Sequence, residues 1–497
     1  DQFPVVHHRN YWGRSKEKRE ALIASLSMAG WSAGKKATAT RRPEGPRSFE
    51  RYEPSAQSRW KLVPFSAQGG FDDWPALDQL FVTKLQGVNP NRGLEGSVVE
   101  MNREVLVNRM RDYFSDIPLD RLRERHSVLM QNRARYDADD VRTRLKSAVK
   151  FDECKVLPYV VFPLDQRWLY YETEGKFLNE ARADLFENLD KNEFLVTVPE
   201  PRKESETRPI LLTTAFDLHL HDRGSVSFPV EIVADDATAG TLFAQHNRSA
   251  EREANIAPSA WTALKDAWAL KGDLHGRDAR SLARGLSRLC LAVCHAPSYQ
   301  AEHKESLAQD WAHMPIPKSQ ELFGELVAAG DLLAVLLNPV VNPSKRLRDI
   351  LGDEAKHLAV PGKTGGGTVC GDDLLVGYSF FGGAQGGWRP RAATPEEPMR
   401  DEWGGTTGDL YINDSVYFRH VPERVWRYEL GGYPVVKKWL GYRDRGRRPG
   451  VPLSVQEMTH LRLMVHRLAA VLRLHATLDS LYERVCLDCY SAEELGL

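Results

Sequence analysis

The feature that most constrains this chain is a change of rhythm near residue 150. Before it, Val105, Leu106, Met110 and Phe114 recur at a helical period, Pro118 opens a second helix, and Asp139 to Val149 makes a third. After it, Val156 to Tyr171, Phe194 to Val198, Ile210 to Thr214 and Val226 to Ile232 are short runs rich in Val, Tyr, Phe and Ile. Turn residues separate them, which is the pattern of strands. Helical spacing returns from Trp261 to Leu351, broken at Pro297 and at the Pro315/Pro317 pair. Pro361 to Leu410 is glycine-rich and mixes strands with loops, and Val451 to Val485 carries Leu461, Met464, Leu468, Leu472 and Leu478 on one amphipathic helix. At the front, Pro4 to His8 reads as a strand, Ser15 to Leu26 as a helix, and Gly30 to Pro54 as an exposed connection. From Trp60 to Phe81 come aromatic anchors separated by turns. The order predicts a mixed α/β (α+β) fold: a helical spacer, a β-rich domain with inserted helices, and a C-terminal helical segment.

With 42% hydrophobic and 27% charged residues among 497, the chain has the material for real cores, which excludes a fibrous or wholly disordered class. The best candidate for a membrane helix, Leu332 to Val341, contains Asn338 and Pro339 and is half of the roughly 20 residues needed, so no membrane partner is expected. Asp1 to Asn10 holds polar and basic groups where a secretory signal would be apolar, and the chain does not begin with Met. It reads as a piece of something longer. Six cysteines suit a reducing cytoplasm. Cys486 and Cys489 form a lone CxxC, Cys290 and Cys294 sit a helical turn apart beside His295, and no set completes a tetrahedral site, so no metal is predicted.

Several enzyme signatures fail. Gly362-Lys363-Thr364 resembles the tail of a phosphate loop, but His357 stands where its first glycine belongs. Gly382 to Gly387 lacks dinucleotide-loop spacing. His219 and His221 alternate along a predicted strand and, with Asp222, suggest at most a hydrolase site that nothing downstream completes. HExxH and the amino-methylating [DNS]PP[YF] motif are missing. No catalytic residue is predicted here.

What stands out instead is local charge. Lys+Arg 67 against Asp+Glu 68 gives a net −1, so no global field attracts a polyanion. Yet the segment from Arg424 to Arg448 holds Arg424, Arg427, Lys437, Lys438, Arg443, Arg445, Arg447 and Arg448 against Glu429 and Asp444, a local excess of +6. Trp426, Tyr428, Tyr433, Trp439 and Tyr442 are interleaved. Such cations neutralise phosphates and such rings pack on sugar or base faces; alternatively, the rings make a small core and the cations are simply solvated. Lys345, Arg346 and Arg348 form a second patch. Trp388, Arg389 and Arg391 form a third on a glycine-rich loop, from which a forked guanidinium can reach guanine edges in the major groove. Arg142, Arg144, Lys146 and Lys150 follow Asp137, Asp139 and Asp140, a polarity that suits a helix dipole with no ligand.

Several strings, taken together and in order, resemble type ISP restriction–modification enzymes in the region after their methyltransferase fold. They are Trp12-Gly13-Arg14, Trp74-Pro75, Leu80-Phe81, Gly87-Val88 with Asn91-Arg92, Arg109-Met110 with Tyr113-Phe114, and Pro163-Leu164-Asp165 followed by Arg167 to Tyr171. The stretch from Leu291 to Tyr299, continuing to Leu307, Asp310 and Met314-Pro315-Ile316-Pro317, is similar to the specificity half of those enzymes. Tyr411-Ile412-Asn413, Val421-Pro422, Gly431-Gly432-Tyr433-Pro434-Val435 and Lys438-Trp439-Leu440 resemble its closing motif.

The resemblance implies residues 1–40 as the edge of a methyltransferase fold, 41–150 as linker and helical spacer, 151–450 as the target-recognition domain, and 451–497 as a C-terminal helical segment. It implies the sequence-specific DNA-recognition part of an adenine-N6 DNA methyltransferase of a restriction–modification or antiphage defence system. Its partners would be double-stranded DNA, the N-terminal methyltransferase half and helicase, nuclease or defence subunits. The methyl donor would be S-adenosylmethionine, bound by the other half and not by this chain. The candidate DNA-binding residues are Lys345, Arg346, Arg348, Trp388, Arg389, Arg391, Arg427, Tyr433, Lys437, Lys438, Arg443, Arg445, Arg447 and Arg448. The competing expectation is a docking module in a defence complex with little DNA specificity of its own, which the near-neutral charge favours.

Overall fold

A computed structural model describes residues 6–8, 19–20, 50–52, 70–133, 136–199, 208–221, 224–233, 252–308, 310–377 and 387–497. The chain divides into two units, Asp1–Gln68 and Gly69–Leu497. In the first, Val6–His8 is the expected strand. It pairs antiparallel with Glu50–Tyr52, so part of the expected connection is its partner. The helix expected over Ser15 to Leu26 lies outside the described residues apart from Arg19 and Glu20, which are helical.

After short helical turns at Phe71–Asp73 and Leu77–Leu80, the second unit has two short strands, β1 (Leu85–Gln86) and β2 (Val99–Glu100), and three helices, α1 (Arg103–Phe114), α2 (Leu119–Arg125) and α3 (Ala138–Ala148). The Asn102 side chain caps α1 by accepting from the Glu104 and Val105 amides. Arg142 is buried and donates to the carbonyls of Tyr113, Ser115 and Ile117 that end α1, while Asp137 caps α3. The charge pattern of α3 is thus used by helix ends.

Next come β3 (Val156–Phe162), β4 (Asp165–Tyr170), β5 (Phe194–Thr197), β6 (Ile210–Leu212), β7 (Ala215–Phe216) and β8 (Val226–Pro229). They build two four-stranded sheets, in the orders β1-β8-β5-β6 and β2-β4-β3-β7. All pairings are antiparallel except the parallel pair β3–β7. Through β1 and β2, residues 85–100 contribute a strand to each of these sheets. Strands of two residues lack the length to show a period, so local spacing carries no sign of them.

Four helices of eight or more residues follow: α4 (Pro258–Trp268), α5 (Arg277–His295), α6 (Gln320–Leu337) and α7 (Ser344–Leu351). Between α5 and α6 lies the short strand β9 (Ile316–Pro317). The α5–α6 crossing is set by Gly330, where a Cβ would collide with the Arg288 carbonyl. Gly330→Ala should therefore force the helices apart and cost about 1–3 kcal/mol by overpacking, read as a lower urea midpoint at unchanged m-value.

A third sheet, ordered β10-β13-β12-β11, comprises β10 (Val360–Lys363), β11 (Gly387–Arg391), β12 (Thr407–Tyr411) and β13 (Val416–Pro422). The expected glycine loop over Gly382 to Gly387 lies outside the described residues except for Gly387. A hairpin of β14 (Glu429–Leu430) and β15 (Tyr433–Pro434), then α8 (Val435–Gly441), leads into the long α9 (Val455–Leu487). The last strand, β16 (Cys489–Tyr490), returns to pair with β9. Helix α9 packs on α5, α6 and α7, so the C-terminal helix is part of the same body.

Candidate nucleic-acid interface

Between β13 and α9 the chain makes one helical turn at Glu423–Trp426, then the β14–β15 hairpin and α8. Gly431 and Gly432 have φ of 55° and 79°, the left-handed pair that a two-residue hairpin requires. A Cβ on Gly431 would also collide with the His221 ring, so the glycine pair fixes packing as well as the turn.

Helix α8 buries Val435, Val436, Trp439 and Leu440 and turns Lys437 and Lys438 outward, half-buried. The Lys438 ammonium lies 4.1 Å from the Tyr433 ring centroid, 4.4 Å from Phe162 and 5.3 Å from Tyr442. Phe162 and Tyr442 stack at 4.7 Å, and exposed Arg447 covers the Tyr442 ring at 4.3 Å. The sequence left two readings open, rings as core or rings as platform; Trp439 and Tyr428 are buried, while Tyr433 and Tyr442 stay half-buried among cations. Phe162, from β3, belongs to this platform and was not legible, because it is distant in sequence.

Three predicted cations are placed differently from the expectation. Arg443 is only 1% exposed and donates to Asp165 (3.0 Å) and Glu457 (2.9 Å). Arg448 pairs with Glu457 (2.7 Å) and Glu95 (3.3 Å), and Arg167 joins Asp165 to Glu95. Burial alone would push the Asp165 carboxyl up, but Arg443 and Arg167 overcome it and hold the group down at about 2. Arg391 is likewise bound, forked onto Glu397 at 2.6 and 2.7 Å and reaching Asp409 at 2.9 Å. These three guanidiniums hold the fold's own carboxylates rather than facing solvent.

The other candidates lie nearer the surface. Lys345 and Arg348 are exposed on α7 and Arg346 is half-buried. Arg389 is exposed, 3.8 Å over the Tyr411 ring, beside half-buried Trp388, whose indole donates to the Val421 carbonyl at 2.7 Å. Arg427 is exposed and pairs with Glu423 one helical turn away (2.8 Å). Arg445 is half-buried. A cleft of about 520 Å³ opens beside the buried ion network, lined by Asn102, Gln166, Trp168, Trp439 and His460 among others.

His219 and His221 sit in a turn rather than a strand, so they share no face. His219 Nδ1 lies 3.0 Å from Asp217 Oδ1, and burial pushes buried His221 down to about 4, leaving it neutral. Lys363 is in β10 and pairs with both oxygens of Asp373 at 2.8 Å, far from a phosphate-loop geometry. The cysteines are free, and burial pushes the Cys290 and Cys294 thiols up. Among the described residues no group of three or more His, Cys, Asp or Glu could hold a metal, and no helix is long and apolar enough to cross a membrane.

Sequence reasoning missed a second cationic cleft, of about 490 Å³, lined by Lys191, Arg277, Arg280 and Arg284 together with Glu193 and Glu231. Its signal was present in the three arginines, spaced three and four apart on one helix face.

The family model of the Type ISP C-terminal specificity domain matches residues 79–460, and the chain belongs to that family. None of the curated proteins matches it. Two solved structures are similar in fold. One is the ATP-dependent Type ISP restriction–modification enzyme LlaBIII bound to DNA, at TM-score 0.50 and 14% identity, over 88% of this chain and 25% of that one. The other is DrdV in a DNA complex, at TM-score 0.52 and 16% identity, over 87% and 40%. The chain therefore spans a quarter to two-fifths of the length of these structures.

Proposed function

We propose that this chain is the DNA target-recognition part of a restriction–modification enzyme, acting with an adenine-N6 methyltransferase half elsewhere in the protein or complex. The observation that carries the reading is the surface of Tyr433, Lys437, Lys438, Tyr442 and Arg447, anchored from beneath by the buried Arg443–Asp165–Glu457 pairs. Family membership and the DNA-bound structures of similar fold support it. Here Lys345, Arg346, Arg348, Lys437, Lys438, Arg445 and Arg447 would hold phosphates, and Arg389, beside Trp388, would read a base edge. Arg391, Arg443 and Arg448 position these surfaces without touching DNA. Methylation of a base inside a duplex requires flipping it out, and S-adenosylmethionine would supply the methyl group in the other half. The setting would be a cytoplasmic restriction or antiphage system.

Arg389→Ala should relax preference at one base pair and cost about 1–3 kcal/mol of discrimination there, measured as Kd over single-base variants of the site. Equal weakening on every sequence would make Arg389 a phosphate contact instead. The docking-module reading gains from the internal use of Arg391, Arg443 and Arg448, which thins the cationic surface. Salt-independent or absent DNA binding would favour it.

A further inference from the structure

The second cationic cleft lies between the N-terminal half of α5 and the ends of β5 and β6. Arg277 and Arg284 are exposed and Arg280 is half-buried on its α5 wall; exposed Lys191 stands opposite. Of its two carboxylates, Glu193 is held between Arg284 (3.2 Å) and Arg288 (2.5 Å), and Arg288 also takes Asp331 (3.0 Å). Arg277 and Arg280 have no ion pair among the described residues, so their charge is offered to the cleft.

One wall of the cleft is tied to the end of the helix that precedes α7. The wall residue Thr213 accepts a hydrogen bond from the Asn338 side chain at 3.2 Å, and Asn338 ends α6. From Asn338 to Ser344, where α7 begins, the chain spans at most about 20 Å even if fully extended. Helix α7 buries Leu347 and Leu351, exposes Lys345 and Arg348, and none of its cations has an ion pair among the described residues. A gap of at most about 20 Å corresponds to about six base-pair steps along the axis of B-form DNA, so one short duplex can span it.

We infer that the α5 cleft and α7 form one track for the phosphodiester backbone of duplex DNA, separate from the β14–α8 surface and blind to base sequence. The inference rests on the DNA-recognition reading and extends it. Guanidinium forks suit phosphate oxygens, and an open, elongated cationic surface suits a polyanion better than a single phosphate ion. A duplex held here is fixed in position while other residues read it.

The test uses the full chain and a fluorescent duplex, with Kd measured across a salt series. Arg277→Gln with Arg280→Gln should weaken binding about tenfold at physiological salt and flatten the slope of log Kd against log salt by about 2. Lys345→Gln with Arg348→Gln should do the same, and the ranking of DNA sequences should not change. Arg277→Lys with Arg280→Lys, which keeps the charge, should retain the slope and controls for folding. If the wild-type chain binds DNA and the Arg277/Arg280 glutamine pair matches its Kd and slope, the track is wrong while the DNA reading stands. If the wild-type chain shows no salt-dependent binding, both fall together.

Discussion

Asp165→Ala should cost about 3–5 kcal/mol of unfolding free energy, because it leaves two buried guanidiniums without their shared carboxylate. Asp165 is fully buried, Arg167 and Arg443 are each 1% exposed, and the pairs tie the β3–β4 hairpin to the segment after α8. Taking two charges out of water is offset only by the complete network, so removing one member costs more than the pair is worth. Replacing the arginines together with Asp165 by apolar residues of similar size should recover much of the loss. The pH dependence follows from the depressed carboxyl. Its folded value of about 2 is below the usual aspartate value, so its contribution is fully present above about pH 4. It is lost as pH falls toward 2. Urea unfolding of wild type and variant across this range checks both; a loss under 1 kcal/mol at neutral pH would contradict the account.

Arg467→Ala should be comparably severe, at about 3–4 kcal/mol. This buried side chain on α9 donates to the carbonyls of Val335 (2.8 Å), Leu336 (2.9 Å), Asn338 (3.0 Å) and Val341 (2.6 Å). These groups end α6 and begin the turn to α7, and a helix end buried without partners is costly. Burial lowers the guanidinium pKa to about 10, so it remains charged at neutral pH. Arg467→Lys keeps the charge but lacks the fork, and should recover less than half the loss in urea midpoint. A midpoint for Arg467→Ala within error of wild type would contradict the capping role. Because this turn leads to Lys345 and Arg348, the alanine variant should also weaken DNA binding.

Where the chain announces a period, the sequence was readable. The helices over Arg103–Phe114, Ala138–Ala148 and Val455–Leu487, and the strands at Val156–Phe162 and Phe194–Thr197, lie where spacing predicts them. The two-residue strands at Leu85 and Val99 did not announce themselves, though they pair with strands far along the chain. The candidate interface was legible as a concentration of cations and rings, but not as a division of labour. Arg443 and Arg447 are neighbours in a basic stretch; what makes one a core residue is Asp165, 278 positions away from Arg443. A carboxylate that distant is invisible to any local count of charge. The reverse holds for Arg277, Arg280 and Arg284, whose shared helix face becomes the wall of a cleft only where Lys191 and the sheet ends meet it.

The central claim is that this chain selects DNA by sequence. The most direct measurement is selection of bound duplexes from a randomised pool at about 150 mM salt, followed by sequencing of what is retained. The account predicts an enriched motif of several base pairs containing an adenine. A chain that binds no duplex, or that retains the pool without enrichment, would contradict it.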